Sequence, residues 1–92
     1  MNTKKFEFRK LTFEVDLDAA RSMRVQRDIS LADQPGYAAK GWESFDKLFC
    51  GRLDEYFDII PGEDGAVGEY GCTGDDFVAF VQAASEAAGA KN

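Results

Sequence analysis

The chain has 92 residues, 45% of them hydrophobic and 13% aromatic, with eleven basic and seventeen acidic side chains and no histidine. That is enough for one domain with a core, and too apolar for wholesale disorder. A net charge of −6 argues against sequence-independent binding to nucleic acid, which takes clustered Lys and Arg to displace counterions.

The charge is unevenly placed: residues 1–30 carry seven basic and five acidic side chains, residues 31–92 four and twelve. A basic end and an acidic body suit head-to-tail self-association or a basic partner, or they are an ordinary solvated surface. A chain this short buries roughly 60–65% of its unfolded surface, so help from oligomers or partners is physically reasonable. Met1–Lys5 is polar and charged and no apolar segment follows, so no signal peptide is expected. No apolar run approaches the roughly 20 residues of a membrane span. A cytoplasmic protein is expected, with Cys50 and Cys72 as free thiols, since they stand far apart without a CxxC pattern.

Taken in chain order, Phe6 and Phe8 sit on even numbers, whereas Leu11, Phe13 and Val15 sit on odd ones. Side chains alternate faces along a strand, so this parity switch predicts a hairpin over residues 1–16 turning at Arg9-Lys10. A two-residue loop there pairs Phe8 with Leu11 and Phe6 with Phe13. Arg-Lys lacks the Gly or Asn such turns favour, and a lone hairpin needs helices against its apolar face.

Asp16 and Asp18 offer caps for a helix over AARSMRVQRDISL, beginning near Asp18 or Ala19. Its apolar stripe is thin (Ala19, Met23), with Val25, Ile29 and Leu31 partly off it. Arg21, Arg24 and Arg27 recur every three residues along one side. They form either a self-association or partner face, or a solvated helix face.

Asp33 (as cap) and Pro35 (in the first turn) mark the start of a helix over Pro35–Cys50. Tyr37, Gly41, Trp42, Phe45, Leu48 and Phe49 give it a stripe at helical spacing, and Gly51 a stop. The small residues Ala38, Ala39 and Gly41 would let another backbone pack closely. Leu53, Tyr56, Phe57 and Ile60 place a shorter helix over Arg52–Ile60. Residues 61–74, with Gly62, Gly65, Gly68, Gly71 and Gly74, form an acidic Gly-rich loop. Thr73 or Asp75 caps a final helix over residues 75–88, with Phe77, Phe80, Val81 and Ala84 as its stripe. The Ala-rich end, Ser85–Asn92, is expected to fray, with residues 89–92 as a tail. The expected fold is mainly α (α+β): one domain, an N-terminal β-hairpin followed by three to four helices as a small bundle over residues 17–60 and 75–88.

Chemistry finds little to stand on. Without histidine there is no Ser-His or Cys-His pair and no His-containing zinc site. No phosphate-binding glycine motif occurs. With Gly65 at the sixth position of a calcium loop, the ligand positions fall on Ile60, Gly62 and Asp64 and the terminal Glu position on Gly71, so one ligand fits. Asp54/Glu55 and Asp75/Asp76 are sequence neighbours, which do not share a helix face. The chain is read as a non-enzyme with no cofactor, no metal and no small-molecule substrate. What remains is aromatic: Tyr37, Trp42, Phe45, Phe49, Tyr56 and Phe57 are candidate partner-binding residues, and equally what a core of this size needs.

The hairpin FEFRKLTFEVD leads into D-x-D-A-A, and LDEYFDIIPGEDGAVGEYG and a terminal DDFVAFVQAASEA helix follow later in the chain. In this order the chain resembles the small tail assembly chaperones of siphophages and prophages, encoded upstream of the tape-measure protein. The matching residues are Phe6, Phe8, Phe13, Val15 and Asp16, then Asp54, Tyr56, Phe57 and Ile60, and finally Phe77, Phe80 and Val81. Arg9-Lys10 departs from the family's Gly-containing turn, and the middle is shorter and more aromatic. The resemblance implies a non-enzymatic, self-associating chaperone that coats the helical tape-measure protein and helps recruit tail-tube subunits. It also implies that this chain is the short form of a pair made by frameshifting. The competing expectation is a small acidic inhibitor that mimics nucleic acid to block a bacterial enzyme, resting on the acidic body of residues 31–92.

Overall fold

In the computed structural model, which describes residues 2–89, β1 (Thr3–Phe8) and β2 (Leu11–Asp16) pair antiparallel with Phe8 opposite Leu11 and Phe6 opposite Phe13. This is the register the apolar alternation predicts. Arg9 and Lys10 both take the left-handed conformation, φ 49° and 74°, as a two-residue turn of this hand requires. Long-range contacts hold the unfavourable residue types there. The Arg9 guanidinium donates to the Pro61 carbonyl at 2.8 Å and to Asp76 Oδ1 at 2.7 Å, and lies 4.7 Å from the centre of the Phe8 ring.

Asp16 ends the hairpin and caps the next element, its Oδ1 accepting from the Asp18 and Ala19 N–H groups. The expected single helix is two: α1 (Leu17–Arg21) and α2 (Met23–Ser30), parted at Ser22. Ser22 is extended (φ −76°, ψ 122°), and its hydroxyl accepts from the Val25 N–H, so this residue starts a new helix rather than continuing the old one. The break resets the helical phase. Val25 and Asp28 are buried and Ile29 half-buried, while Met23, expected on the apolar stripe, is 75% exposed.

The third helix, α3 (Ala38–Leu48), starts later than Asp33 and Pro35 suggest. Residues 31–37 form successive turns, and Gly36 at φ 87° takes the chain out of helical conformation after Pro35. Close packing at Gly41 is as its size implies. A Cβ built there would land on the Cβ of Ala32 and 2.8 Å from its Cα, so α3 seats directly against the end of α2. At its C-terminus the Gly51 N–H reaches the Asp46 carbonyl (2.7 Å) and the Cys50 N–H the Lys47 carbonyl (3.2 Å), with Cys50 itself left-handed. Asp46 Oδ1 also accepts from the Leu53 N–H and so caps α4 (Leu53–Ile59) from the preceding helix.

The glycine-rich loop is tied to α4 by the Cys72 N–H donating to the Phe57 carbonyl (2.9 Å). Thr73 Oγ1 accepts from the Asp76 N–H at the start of α5 (Gly74–Gly89), while its hydroxyl donates to Asp76 Oδ2. The helix continues through Ser85–Gly89, where fraying is expected from composition; the expectation for residues 90–92 lies outside the described residues. One core joins the hairpin face (Phe6, Phe13, Val15), Leu17, Leu48, Phe49, Leu53, Tyr56 and Ile60 to Phe77, Phe80 and Ala84 of α5. The protein is therefore a small α+β fold, an N-terminal hairpin followed, among the described residues, by five helices.

Candidate functional site: an open groove beside α5

Packing is uneven around α5. The first half of this helix lies on the hairpin, while α2 packs mainly on α3. Between α1–α2 and the second half of α5 this leaves an open groove of about 980 Å³. One wall is Ala19, Ala20, Val25 and Ile29; the other is Val81, Ala84 and Ala88, with Leu48 of α3 completing the apolar lining. Arg21, Gln26, Ser30 and Ser85 supply its polar part. The Gln26 amide donates to the Ala20 carbonyl at 3.0 Å, tying α2 to α1 across the Ser22 joint. The walls are built from small side chains, so an entering helix can bring its backbone close, while Val25, Ile29 and Val81 offer it apolar contact.

The aromatic residues divide. Phe49 and Tyr56 are 0% and 1% exposed, so they are core and not partner anchors. The Phe49 ring centre lies 4.9 Å from that of Phe80, and the Tyr56 ring 5.0 Å from Phe13. The Tyr56 hydroxyl accepts from the Glu14 N–H (3.1 Å). By the alternation of the hairpin ladder this N–H points off the free edge of β2, so Tyr56 satisfies a group the sheet cannot. Trp42 and Tyr37 are 47% and 41% exposed, and Phe45 and Phe57 half-buried. Trp42 gathers Phe45 (5.4 Å), Phe77 (5.9 Å) and Phe57 (6.1 Å) into a second, half-open cluster. Among the described residues, Tyr37 makes no ring contact with it. A cleft of about 470 Å³ beside Trp42 is lined by Glu43, Asp46, Arg52, Asp54 and Glu55.

Arg21, Arg24 and Arg27 are all exposed, but the Ser22 break distributes them over two helices, so they are not one continuous helical stripe. Arg27 is engaged with the buried Asp28 (3.0 Å), whereas Arg21 lines the groove.

The shifted ionisable groups have local causes. Hydrogen bonds from Arg9 and then Thr73 hold the Asp76 carboxyl below its usual range. The Arg52 guanidinium does the same for Glu55, and is itself held above its ordinary value by that carboxylate. Burial, aided by the nearby Asp16 and Glu14 charges, pushes the Cys50 thiol up; burial also raises Cys72. Both thiols are free and protonated at neutral pH, which makes them poor nucleophiles. Among the described residues no three His, Cys, Asp or Glu side chains are placed to hold a metal ion. No described helix is long and apolar enough to cross a membrane.

Sequence reasoning singled out the largest side chains and passed over the groove. Its trace in the sequence is two apolar pairs four residues apart, Val25/Ile29 and Ala84/Ala88, each modest by itself. Comparison of the chain with protein-family models, curated proteins and solved structures finds no match.

Proposed function

We propose that the protein is a non-enzymatic binding protein that holds helical segments of a protein client, acting as a tail assembly chaperone on the tape-measure protein and assisting tail-tube assembly. The observation that carries the reading is the apolar groove of about 980 Å³ between α1–α2 and α5, whose small-residue walls would admit the side chains of a helix. Burying one large aliphatic side chain is worth about 1.5–3 kcal/mol, and association costs about 4–15 kcal/mol. Two or three anchors in one groove therefore give weak binding. A long client with repeated amphipathic segments engages many copies and gains through avidity what one site lacks. Weak, repeated and reversible contact is what a protein coating a long helix during assembly requires.

The test is coexpression with the product of the next long gene downstream, the client this reading expects to be a tape-measure protein. The client copurifies and gains solubility with the unaltered protein, and Ser85→Trp, which fills the groove from an exposed position, abolishes both. If the client neither copurifies nor gains solubility, the chaperone reading fails.

The acidic-inhibitor reading draws on the cleft beside Trp42. It is the weaker one, because Asp46 is already engaged with the Leu53 N–H and Glu55 with Arg52, leaving Glu43 and Asp54.

A further inference from the structure

We infer that the outer edge of β1 joins the same edge of a second copy about a two-fold axis, making one antiparallel sheet in the order β2-β1-β1-β2. The inference is independent of what the groove beside α5 binds. The described sheet is a single strand pair, and the fold treats its two edges differently. Because the turn has two residues, Phe8 and Leu11 form a hydrogen-bonded pair, and by alternation so do Phe6 with Phe13 and Lys4 with Val15. The Leu17 N–H, which donates to the Asn2 carbonyl (2.8 Å), continues the same phase. The backbone groups of Thr3, Lys5 and Glu7 therefore point away from β2, as those of Thr12, Glu14 and Asp16 point away from β1. On the β2 side the Tyr56 hydroxyl takes up the Glu14 N–H. On the β1 side no described residue bonds to the N–H or carbonyl of Thr3, Lys5 or Glu7. Lys5 and Glu7 are exposed, and α5 meets the hairpin from the other face, where Phe80 packs on the rings of Phe6, Phe8 and Phe13.

A second copy is the occupant because this edge is its own complement. Two antiparallel edges bond where outward-facing residues stand opposite each other, so odd-numbered residues of β1 pair with odd-numbered ones. With the axis at Phe6, Lys5 stands opposite the partner's Glu7, and Glu7 opposite the partner's Lys5. Each pair exchanges its main-chain hydrogen bonds and sets opposite charges together on the solvent face. An axis at Lys5 or at Glu7 would put like charges directly opposite, which is destabilising. Phe6, 7% exposed against 1% for Phe13 and 0% for Val15, then lies beside the partner's Phe6, which covers what the hairpin alone leaves open. A lone lysine on an edge strand deters pairing, as do proline and bulges. Here Glu7 follows Lys5 on the same face, and the register of β1 is continuous and free of proline. The contact is isologous and closes on itself, so assembly through it stops at a dimer. A dimer also carries the groove twice, which gives a long client two points of attachment.

Sedimentation equilibrium of the full chain, with Cys50 and Cys72 kept reduced, tests this. The interface is small, so the dimer should appear at concentrations on the order of 100 µM. Lys5→Glu and Glu7→Lys each put like charges opposite one another and should weaken the dimer at least roughly tenfold. The fold should be unchanged by circular dichroism, since both side chains are exposed. The swap Lys5→Glu/Glu7→Lys should restore the dimer. Mixing the two single variants should give a heterodimer, because the charges of one complement those of the other. Ser85→Trp, in the groove, should leave dimerisation intact. A chain that stays monomeric in that range, single variants that dimerise like the unaltered chain, a swap or mixture that restores nothing, or a dimer lost in Ser85→Trp each overturns the inference. A dimer with the expected responses stands even where no client copurifies, which removes the chaperone reading alone. A monomer that still retains the client overturns the dimer and leaves that reading in place.

Discussion

The two halves of α5 stand in contrasting surroundings. Phe77 and Phe80, in its first half, are enclosed by rings: the Phe80 centroid lies 4.8 Å from Phe13, 4.9 Å from Phe49 and 5.4 Å from Phe6, and the side chain is fully buried. Val81, Ser85 and Ala88, in its second half, line a groove that none of the described residues fills. The difference is one of reach. Aromatic side chains are long enough to meet across a small domain, so they satisfy one another and seal their region. Alanines are too short to close the distance between two helices, so the space between them stays open to another molecule's side chains. Aromatic enrichment is a good guide to interfaces on large proteins. In a domain of 92 residues many of the aromatics are needed inside, and small residues supply part of the apolar surface left open.

Substitutions on either side of that divide should differ in kind. Phe80→Ala should cost about 3–5 kcal/mol, most of the stability of a small domain, and abolish a cooperative thermal transition. Tyr56→Phe keeps the ring in the sealed cluster and strands the Glu14 N–H, so denaturant titration should show a loss of about 1–3 kcal/mol. Trp42→Ala acts on the half-open cluster and should cost about 1–2 kcal/mol, because 47% of the residue already meets water. Val81→Ala, the immediate neighbour of Phe80, should cost only about 0.5–1 kcal/mol while weakening copurification of the helical client. A Val81→Ala penalty equal to that of Phe80→Ala would mean that the groove is closed in solution, and the contrast would collapse.

The hairpin register was readable because it depends on parity alone: Phe6 and Phe8 against Leu11, Phe13 and Val15. Its turn was not, since Arg9 is held by partners 52 and 67 residues away, Pro61 and Asp76, which no local rule contains. Ser22 was ambiguous for a physical reason, being tolerable inside a helix and better as a cap, and only packing of α2 against α3 at Gly41 decides between them. The shift of one helix into two then displaced Met23 outward and Val25 inward. The aromatic stripe of α3 and α4 was visible as a stripe, but which members stayed outside depended on where α5 came to rest. The groove was least visible of all. It arises where α2 packs mainly on α3 and α5 on the hairpin, and a sequence pattern records the contacts of a helix better than the space left beside it.

The smallest expected effect lies where the sealed region is fastened to the hairpin tip. Asp76 receives the Arg9 guanidinium and the Thr73 hydroxyl, and both hold its carboxyl below the usual range in the folded protein. A carboxyl depressed on folding stabilises the fold at pH values above its unfolded pKa of about 3.9, and this contribution disappears as pH falls through the lower folded value. Asp76→Asn should therefore lower the melting temperature at pH 7, where the unaltered carboxylate is charged in both states. The two proteins should converge as the pH drops below that window, since the unaltered residue is then neutral as well. The pair is partly open to solvent, so added salt should narrow the gap at pH 7 without erasing it, because the hydrogen bonds from Arg9 and Thr73 outlast screening of the net charge. A gap that persists unchanged in acid would show that Asp76 acts through shape and capping alone. The left-handed Arg9-Lys10 turn would then be held by the Pro61 carbonyl and the Phe8 ring, and replacing the turn with Asn-Gly would leave the hairpin as stable as before.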